Sequence, residues 1–470
     1  MVLAGNHKNS VRGKQMIWCL FLSLIIFTCF NYKVSGSDIF NPAVVVSGIF
    51  SIFSFFCCLA NFYIGIDIET VSIFLVIGTG IGIFSIIEYF LGYKKVSELY
   101  ECKKVNNLII KKINIGKIWL IVGVAILLLT IYVNYKYILA FGAAYGAGGD
   151  FFSAMVQYKV IMSFHDADDI LLPSPWYRNY LSIFSYVFAY LSAYLFMRAK
   201  VFENQFNGCS FLIMVLFGLY TLMGGGRSNL FQFLTAIIFL WYVFSKNNIA
   251  KKIDNKKIIF RLLLIFSFIS LAFILFLFVV GRTQKDLNID YIISSIFVYA
   301  GAPIFNLDIY LQNPWKPTHG FWGELTFIRI INWIGMKFSI SSFVYELDLP
   351  FLSYQNYNLG NVYTTFYAFY YDFQYLGVVF LTLLMALLST WIYNKVLKEN
   401  FIESRISTIT IVYSYLVNDL IMLAFSNRFY ETITDMGFIY KVILLWFIVY
   451  YINHFSLEFN KDGLRLMKKM

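Results

Sequence analysis

The sequence predicts an all-α polytopic membrane protein of about eleven (11–12) transmembrane helices, with one large external loop between the eighth and ninth spans. Three observations predict it. Of 470 residues, 60% are hydrophobic and only 13% are charged, with mean hydropathy +0.70. A soluble domain runs at about 45–50% apolar and about 25% charged, so this chain lacks the charge to cover a water-exposed surface. The apolar residues fall in runs of about 20, the length that crosses roughly 30 Å of hydrocarbon as a helix. Lys and Arg are concentrated between those runs.

The runs lie near 16–33, 42–63, 71–92, 118–139, 179–199, 209–226, 229–246, 259–281, 374–394, 407–425 and 437–455. Lipid does not tolerate unpaired backbone groups, and the runs are too long for barrel strands, so each reads as a helix. The first run continues towards Tyr32 without a small-residue cleavage site, which reads as a span and not a cleaved signal.

Sidedness follows from the basic residues. Loop 93–117 carries Lys94, Lys95, Lys103, Lys104, Lys111, Lys112 and Lys117. Loop 246–261 carries Lys246, Lys251, Lys252, Lys256, Lys257 and Arg261, and the tail adds Lys461, Arg465, Lys468 and Lys469. All three fit the cytoplasm together; only Lys8, Arg12 and Lys14 run against the arrangement. Segments 140–178 and 282–360 are then external. The chain reads as an N-terminal bundle 1–281, the large loop 282–360 and a C-terminal bundle 361–470. Trp315, Trp322 and Trp333 mark that loop as folded or interfacial, not disordered.

The net charge of +11 belongs with cytoplasmic loops and lipid headgroups, and no basic stretch forms a nucleic-acid module. Five of the six cysteines lie in apolar runs and Cys102 in a Lys-rich loop, so neither a disulfide framework nor a CxxC metal site is expected. There is no Walker loop, and no internal repeat of the kind that marks secondary transporters.

Four features can carry chemistry. At Gly224-Gly225-Gly226-Arg227-Ser228-Asn229 the glycines let backbone N–H groups approach a ligand where the next helix begins, and Arg227 adds a planar phosphate donor. The plainer alternative is a tight turn whose Arg reaches lipid headgroups. At Gly281-Arg282-Thr283-Gln284-Lys285, Arg282 can neutralise the same diphosphate or merely anchor a helix end.

Gly360-Asn361-Val362-Tyr363-Thr364 leads to Tyr370-Tyr371-Asp372-Phe373, where Asp372 enters an apolar helix and can act as a general base on a sugar hydroxyl, clamp one of the arginines, or simply pair within the structure. The fourth feature, Lys316-Pro317-Thr318-His319-Gly320, offers His319 for proton transfer, against the ordinary case of a solvated loop histidine. Arg329, Arg178 and Asn427-Arg428 are weaker candidates. His165 with Asp166, Asp168 and Asp169 reads as a polar loop more readily than as a metal site, while Glu88 and Asp419 read as pairing within the bundle.

Taken in order, Gly225-Gly226-Arg227-Ser228, Arg282 opening a large loop, and Asn361-Val-Tyr-Thr-Thr-Phe leading to Tyr371-Asp372-Phe373 resemble the Wzy-type oligosaccharide repeat-unit polymerases of bacterial O-antigen and capsule assembly. The pattern's glycine after Asp-Phe stands here as Gln374, with a glycine at Gly377.

The resemblance implies a GT-C-like membrane glycosyltransferase in the bacterial cytoplasmic membrane, with its active site on the outer face. Its substrate would be undecaprenyl-diphosphate-linked oligosaccharide, and its partners membrane lipids, a chain-length regulator and a flippase; neither cofactor nor nucleic acid is implied. Arg227, Arg282, His319 and Asp372 would be catalytic. Gly225, Gly226, Ser228, Arg329, Asn361, Tyr363 and Arg428 would contact substrate. An O-antigen ligase shares these features, and a polysaccharide flippase or transporter is the non-enzymatic rival.

Overall fold

The computed structural model describes residues 10–92, 113, 117–164, 172–248, 257, 261, 289–315, 317–346, 349–355, 357–460 and 463–468. In chain order the helices are α1 Ser10–Val34, α2 Pro42–Ile64, α3 Ser72–Leu91, α4 Lys117–Ala144, α5 Phe151–Phe164, α6 Trp176–Arg198, α7 Gly208–Leu222 and α8 Ser228–Asn247. They continue with α9 Ile289–Gln312, α10 Ile328–Phe338, α11 Thr365–Lys398, α12 Thr408–Ile421, α13 Arg428–Ile433 and α14 Met436–His454. Two small antiparallel hairpins pair β1 Leu352–Tyr354 with β2 Tyr357–Gly360, and β3 Phe455–Asn460 with β4 Gly463–Lys468.

Among the described residues, 8 helices are long and apolar enough to cross a membrane. They coincide with the runs expected at 16–33, 42–63, 71–92, 118–139, 179–199, 229–246, 374–394 and 437–455. The chain is a helical polytopic membrane protein. Two expected spans are shorter apolar helices, Gly208–Leu222 and Thr408–Ala424. Of the run at 259–281 only position 261 is among the described residues, and Arg282 lies outside them.

Contacts divide the chain into two units that interleave along the sequence. The first comprises Met1–Lys104, Asp254–Leu397 and Asp419–Thr434; the second comprises Val105–Ile253, Lys398–Asn418 and Asp435–Met470.

The segment 282–360 is not a loop throughout. Its first part forms α9, which packs along α2 in the first unit, with Ala302, Ile304, Phe305 and Leu307 buried. Gly301 permits this approach: a Cβ there would lie 3.3 Å from the Cys57 Cα, and the Cys57 thiol donates to the Gly301 carbonyl (3.4 Å). The sequence hides this helix because Asn306 and Asp308 interrupt its apolar pattern. Both are buried and both have partners. Asp308 accepts the backbone N–H groups of Glu69 (2.9 Å) and Thr70 (3.1 Å), which ties α9 to the α2–α3 connection. Asn306 donates to the carbonyls of Gly360 (3.3 Å) and Val362 (2.8 Å) and so holds the turn containing Asn361.

Helix α11 begins nine residues before the expected run and is broken at Gln374, whose φ of 56° and ψ of −149° are not helical. That combination is natural only to glycine, and a side chain there costs about 1–3 kcal/mol. Position 374 is where the resembled pattern has glycine. At Gly377 a Cβ would run into the Phe369 carbonyl oxygen, so the turn beyond the break closes only over a glycine.

In the second unit, α4, α6 and α7 pack together, with Thr130 and Ser185 hydroxyls paired at 2.8 Å. The buried Arg198 at the end of α6 pairs with Glu203 (3.2 Å) and donates to the carbonyls of Phe401 (3.3 Å) and Glu403 (3.0 Å). These contacts tie the end of α6 to the segment around 401–403.

Replacing Gln374 by Gly should raise stability by about 1 kcal/mol, because released strain exceeds the added backbone entropy. Gly377→Ala should lower it. Thermal unfolding of the two variants in lipid nanodiscs checks both signs.

Candidate functional site

The first unit gathers His319, Asp372 and Tyr363 around the segment that joins α9 to α10. That segment has no regular hydrogen-bonding of its own, and two carboxylates hold it. Glu324 is buried. Its Oε1 accepts the N–H of Thr318 (2.8 Å) and the Tyr371 hydroxyl (2.8 Å), and its Oε2 accepts the N–H groups of His319 (3.0 Å) and Gly320 (2.9 Å). The turn is possible because Gly320 and Gly323 take φ of 75° and 81°. Successive N–H groups pointing inwards form an anion cradle, here filled by the chain's own glutamate.

Asp372 grips the next stretch. Its Oδ1 accepts from Leu325 N–H (3.2 Å) and its Oδ2 from Thr326 N–H (2.6 Å). Asn427 completes the fastening: its amide donates to the Thr326 carbonyl (3.2 Å), and its oxygen accepts from the Thr365 hydroxyl (3.2 Å). Asp372 therefore uses both carboxylate oxygens on backbone N–H groups, and no arginine is among these partners.

The His319 ring lies on the surface, 4.2 Å from the Tyr345 ring centroid. Tyr345 donates its hydroxyl to the Glu324 carbonyl (2.6 Å), and its phenol is pushed above its ordinary value by burial and by the Glu324 carboxylate. It therefore remains a donor at neutral pH.

Tyr363 is buried, stacked on Tyr367 at 4.2 Å, with its hydroxyl on the Pro350 carbonyl (2.8 Å). With Tyr310, Trp315 and Tyr371 it forms a packed aromatic cluster, so it supports the segment from below. Trp322, by contrast, is 87% exposed. Asn361 sits partly exposed in the turn held by Asn306. Arg329 is exposed at the start of α10, and Arg428 heads α13 with Glu431 at 3.2 Å.

The second unit carries the glycine-rich turn. Gly225 has φ of 67°, and a Cβ there would lie 3.0 Å from the Lys159 Cβ on α5. Gly226 opens to free space, Arg227 is the cap residue of α8, and Ser228 is its first residue. The glycines thus let α5 close over the turn and bring Lys159 beside it.

Tyr158 lies next to Gly224 and accepts from Arg178 Nη2 (3.1 Å). Arg178 is held further by Asn134 Oδ1 (2.6 Å), Ser174 Oγ (3.1 Å) and the face of Tyr137 at 4.1 Å. The weak sequence candidate Arg178 thus belongs to the best-fixed guanidinium of this region. Lys159 and Tyr158 of α5 thus flank the glycine turn, and Arg178 is fastened to Tyr158.

Sequence reasoning missed Glu324, Asn306 and Asp308. A signal existed: each is a polar group inside an apolar stretch of a membrane protein, where burial without partners is costly. Arg282, Lys316 and His165 fall outside the described residues. Among the described residues no group of three or more His, Cys, Asp or Glu side chains is placed to hold a metal ion. No protein-family model, curated protein or solved structure matches the chain.

Glu324→Gln should speed amide exchange at 318–320, because an amide offers one acceptor oxygen where the carboxylate offers two. Asp372→Asn should do so at 325–326. Hydrogen exchange read by mass spectrometry separates the two clamps; identical exchange in both variants would remove their assigned roles.

Proposed function

We propose that this chain is a membrane glycosyltransferase that polymerises undecaprenyl-diphosphate-linked oligosaccharide repeat units at the outer face of the bacterial cytoplasmic membrane. In this reading the fold is GT-C-like with eleven spans. The observation that carries it is Arg227 at the head of α8, in a glycine turn lying against Lys159, with Arg178 fastened through Tyr158 on the same helix α5.

The terminal hydroxyl of one unit attacks the anomeric carbon of the diphosphate-linked chain. The bond from that carbon to the phosphate oxygen breaks, and undecaprenyl diphosphate leaves with the electron pair. The difficult part is charge on the leaving group, which fixed cations and helix N–H groups stabilise without reorganising. Arg227 receives the diphosphate, with the backbone at Gly225, Gly226 and Ser228 alongside; Arg282 is assigned to the same charge.

The acceptor's proton needs a base. His319 suits this role because its ring is exposed, whereas both oxygens of Asp372 already accept backbone N–H groups. Asp372 acts as a positioning residue that shapes the His319 segment. Exposed Trp322 offers a face for sugar stacking.

Purified protein in liposomes, given only lipid-linked repeat units, should produce a ladder of products, whereas a ligase would make none without a lipid-core acceptor. Arg227→Ala should reduce the ladder by about 10²–10³-fold with protein levels unchanged. Arg227→Lys should restore part of it, since an ammonium lacks the planar fork. Normal chain lengths with Arg227→Ala would overturn the diphosphate role.

A further inference from the structure

Among the described helices of eleven residues or more, α10 is the most sharply two-sided. Ile330, Ile334 and Phe338 follow one another at four-residue spacing, with Ile331 and Ile328 beside them, while Arg329, Asn332, Trp333 and Lys337 occupy the other side. A helix of this kind in a globular core would bury its apolar side. Here Ile328 and Gly335 are buried, Ile330, Ile331 and Ile334 are half-buried, and Met336 and Phe338 are each 66% exposed. The residues that follow add Ile340, Val344 and Phe351 to the exposed apolar surface.

This surface is firmly built. Ser339 ends the helix with φ of 56°, and the Ile340 N–H returns to the Gly335 carbonyl (2.9 Å). Asn332 donates to the Tyr345 carbonyl (2.8 Å) and accepts the Tyr345 N–H (3.3 Å). A Cβ at Gly335 would lie 2.9 Å from Phe343, so the turn packs directly on the helix backbone. The hairpin thus presents its apolar side as a fixed shape.

We propose that α10 and the turn after it lie in the bilayer interface, with Ile330, Ile334 and Phe338 among the upper acyl chains and Arg329 and Lys337 on anionic phospholipid headgroups. The charge pattern selects this occupant: both charged residues of α10 are cationic, as an anionic lipid surface requires. Trp333, on the polar side near the boundary, has the amphipathic ring that headgroup regions favour. Arg329 is then a headgroup contact and not a substrate contact. The inference is independent of the glycosyl-transfer reading, since it concerns only where this hairpin sits.

The test places a genetically encoded fluorescent amino acid at Phe338, and separately at Lys337, in the full chain in nanodiscs of phosphatidylcholine and phosphatidylglycerol. Phe338 is largely exposed, so its replacement leaves packing intact. Brominated phospholipid should quench the label at 338 several-fold more than at 337, and aqueous iodide should do the reverse. Arg329→Glu with Lys337→Glu should reduce the lipid quenching at 338. Iodide quenching at 338 equal to that at 337 would place the hairpin in water and overturn the proposal. A label at 338 quenched by neither agent would mean that protein covers this face, whether a second copy or another partner, and would overturn it as well.

Discussion

Irregular backbone is held in this protein by buried carboxylates accepting peptide N–H groups, and in the first unit the segment that carries His319 depends on that interaction. Asp308, Glu324 and Asp372 each take two or three backbone donors from a segment distant in sequence or lacking regular structure. A buried donor left unpaired costs about 1–3 kcal/mol, so each carboxylate removes several such penalties at one point. The hydrogen bonds are charge-assisted, which makes them shorter and stronger than neutral ones. Asp308 sets where α9 stands, while Glu324 and Asp372 shape the segment that follows it.

The clamps explain why two adjacent residues of α11, Tyr371 and Asp372, matter together. Tyr371 donates to Glu324 and accepts from Thr318, while Asp372 takes the N–H groups just after Glu324. The break at Gln374 follows immediately. A straight helix would carry on through this point, whereas here the chain changes direction after its last clamping residue. The glycyl geometry at position 374 belongs to the same device as the clamp, even though this chain occupies it with a larger side chain.

The second unit works by a different principle. Its cationic end is organised by close backbone approach, with Gly225 admitting Lys159, and by aromatic support of Arg178 on Tyr137 and Tyr158. A guanidinium fixed by hydrogen bonds and ring faces loses little freedom when an anion arrives.

The length and spacing of apolar runs were enough to read the helical membrane class and most of the helices, because hydrocarbon thickness imposes a length that composition records. The glycine-rich break at 224–226 before α8 was legible as well, because glycines between two apolar runs mark a turn. Tertiary structure decided the rest. Helix α9 was hidden because Asn306 and Asp308 read as polar loop residues until their backbone partners, more than 50 and more than 200 positions away in the chain, come into contact. The partners of Asp372, backbone N–H groups at 325 and 326, and of Tyr363, the Tyr367 ring and the Pro350 carbonyl, were set by tertiary contact for the same physical reason. A side chain's chemistry is set by which groups it meets, and no local pattern of residues specifies partners that distant.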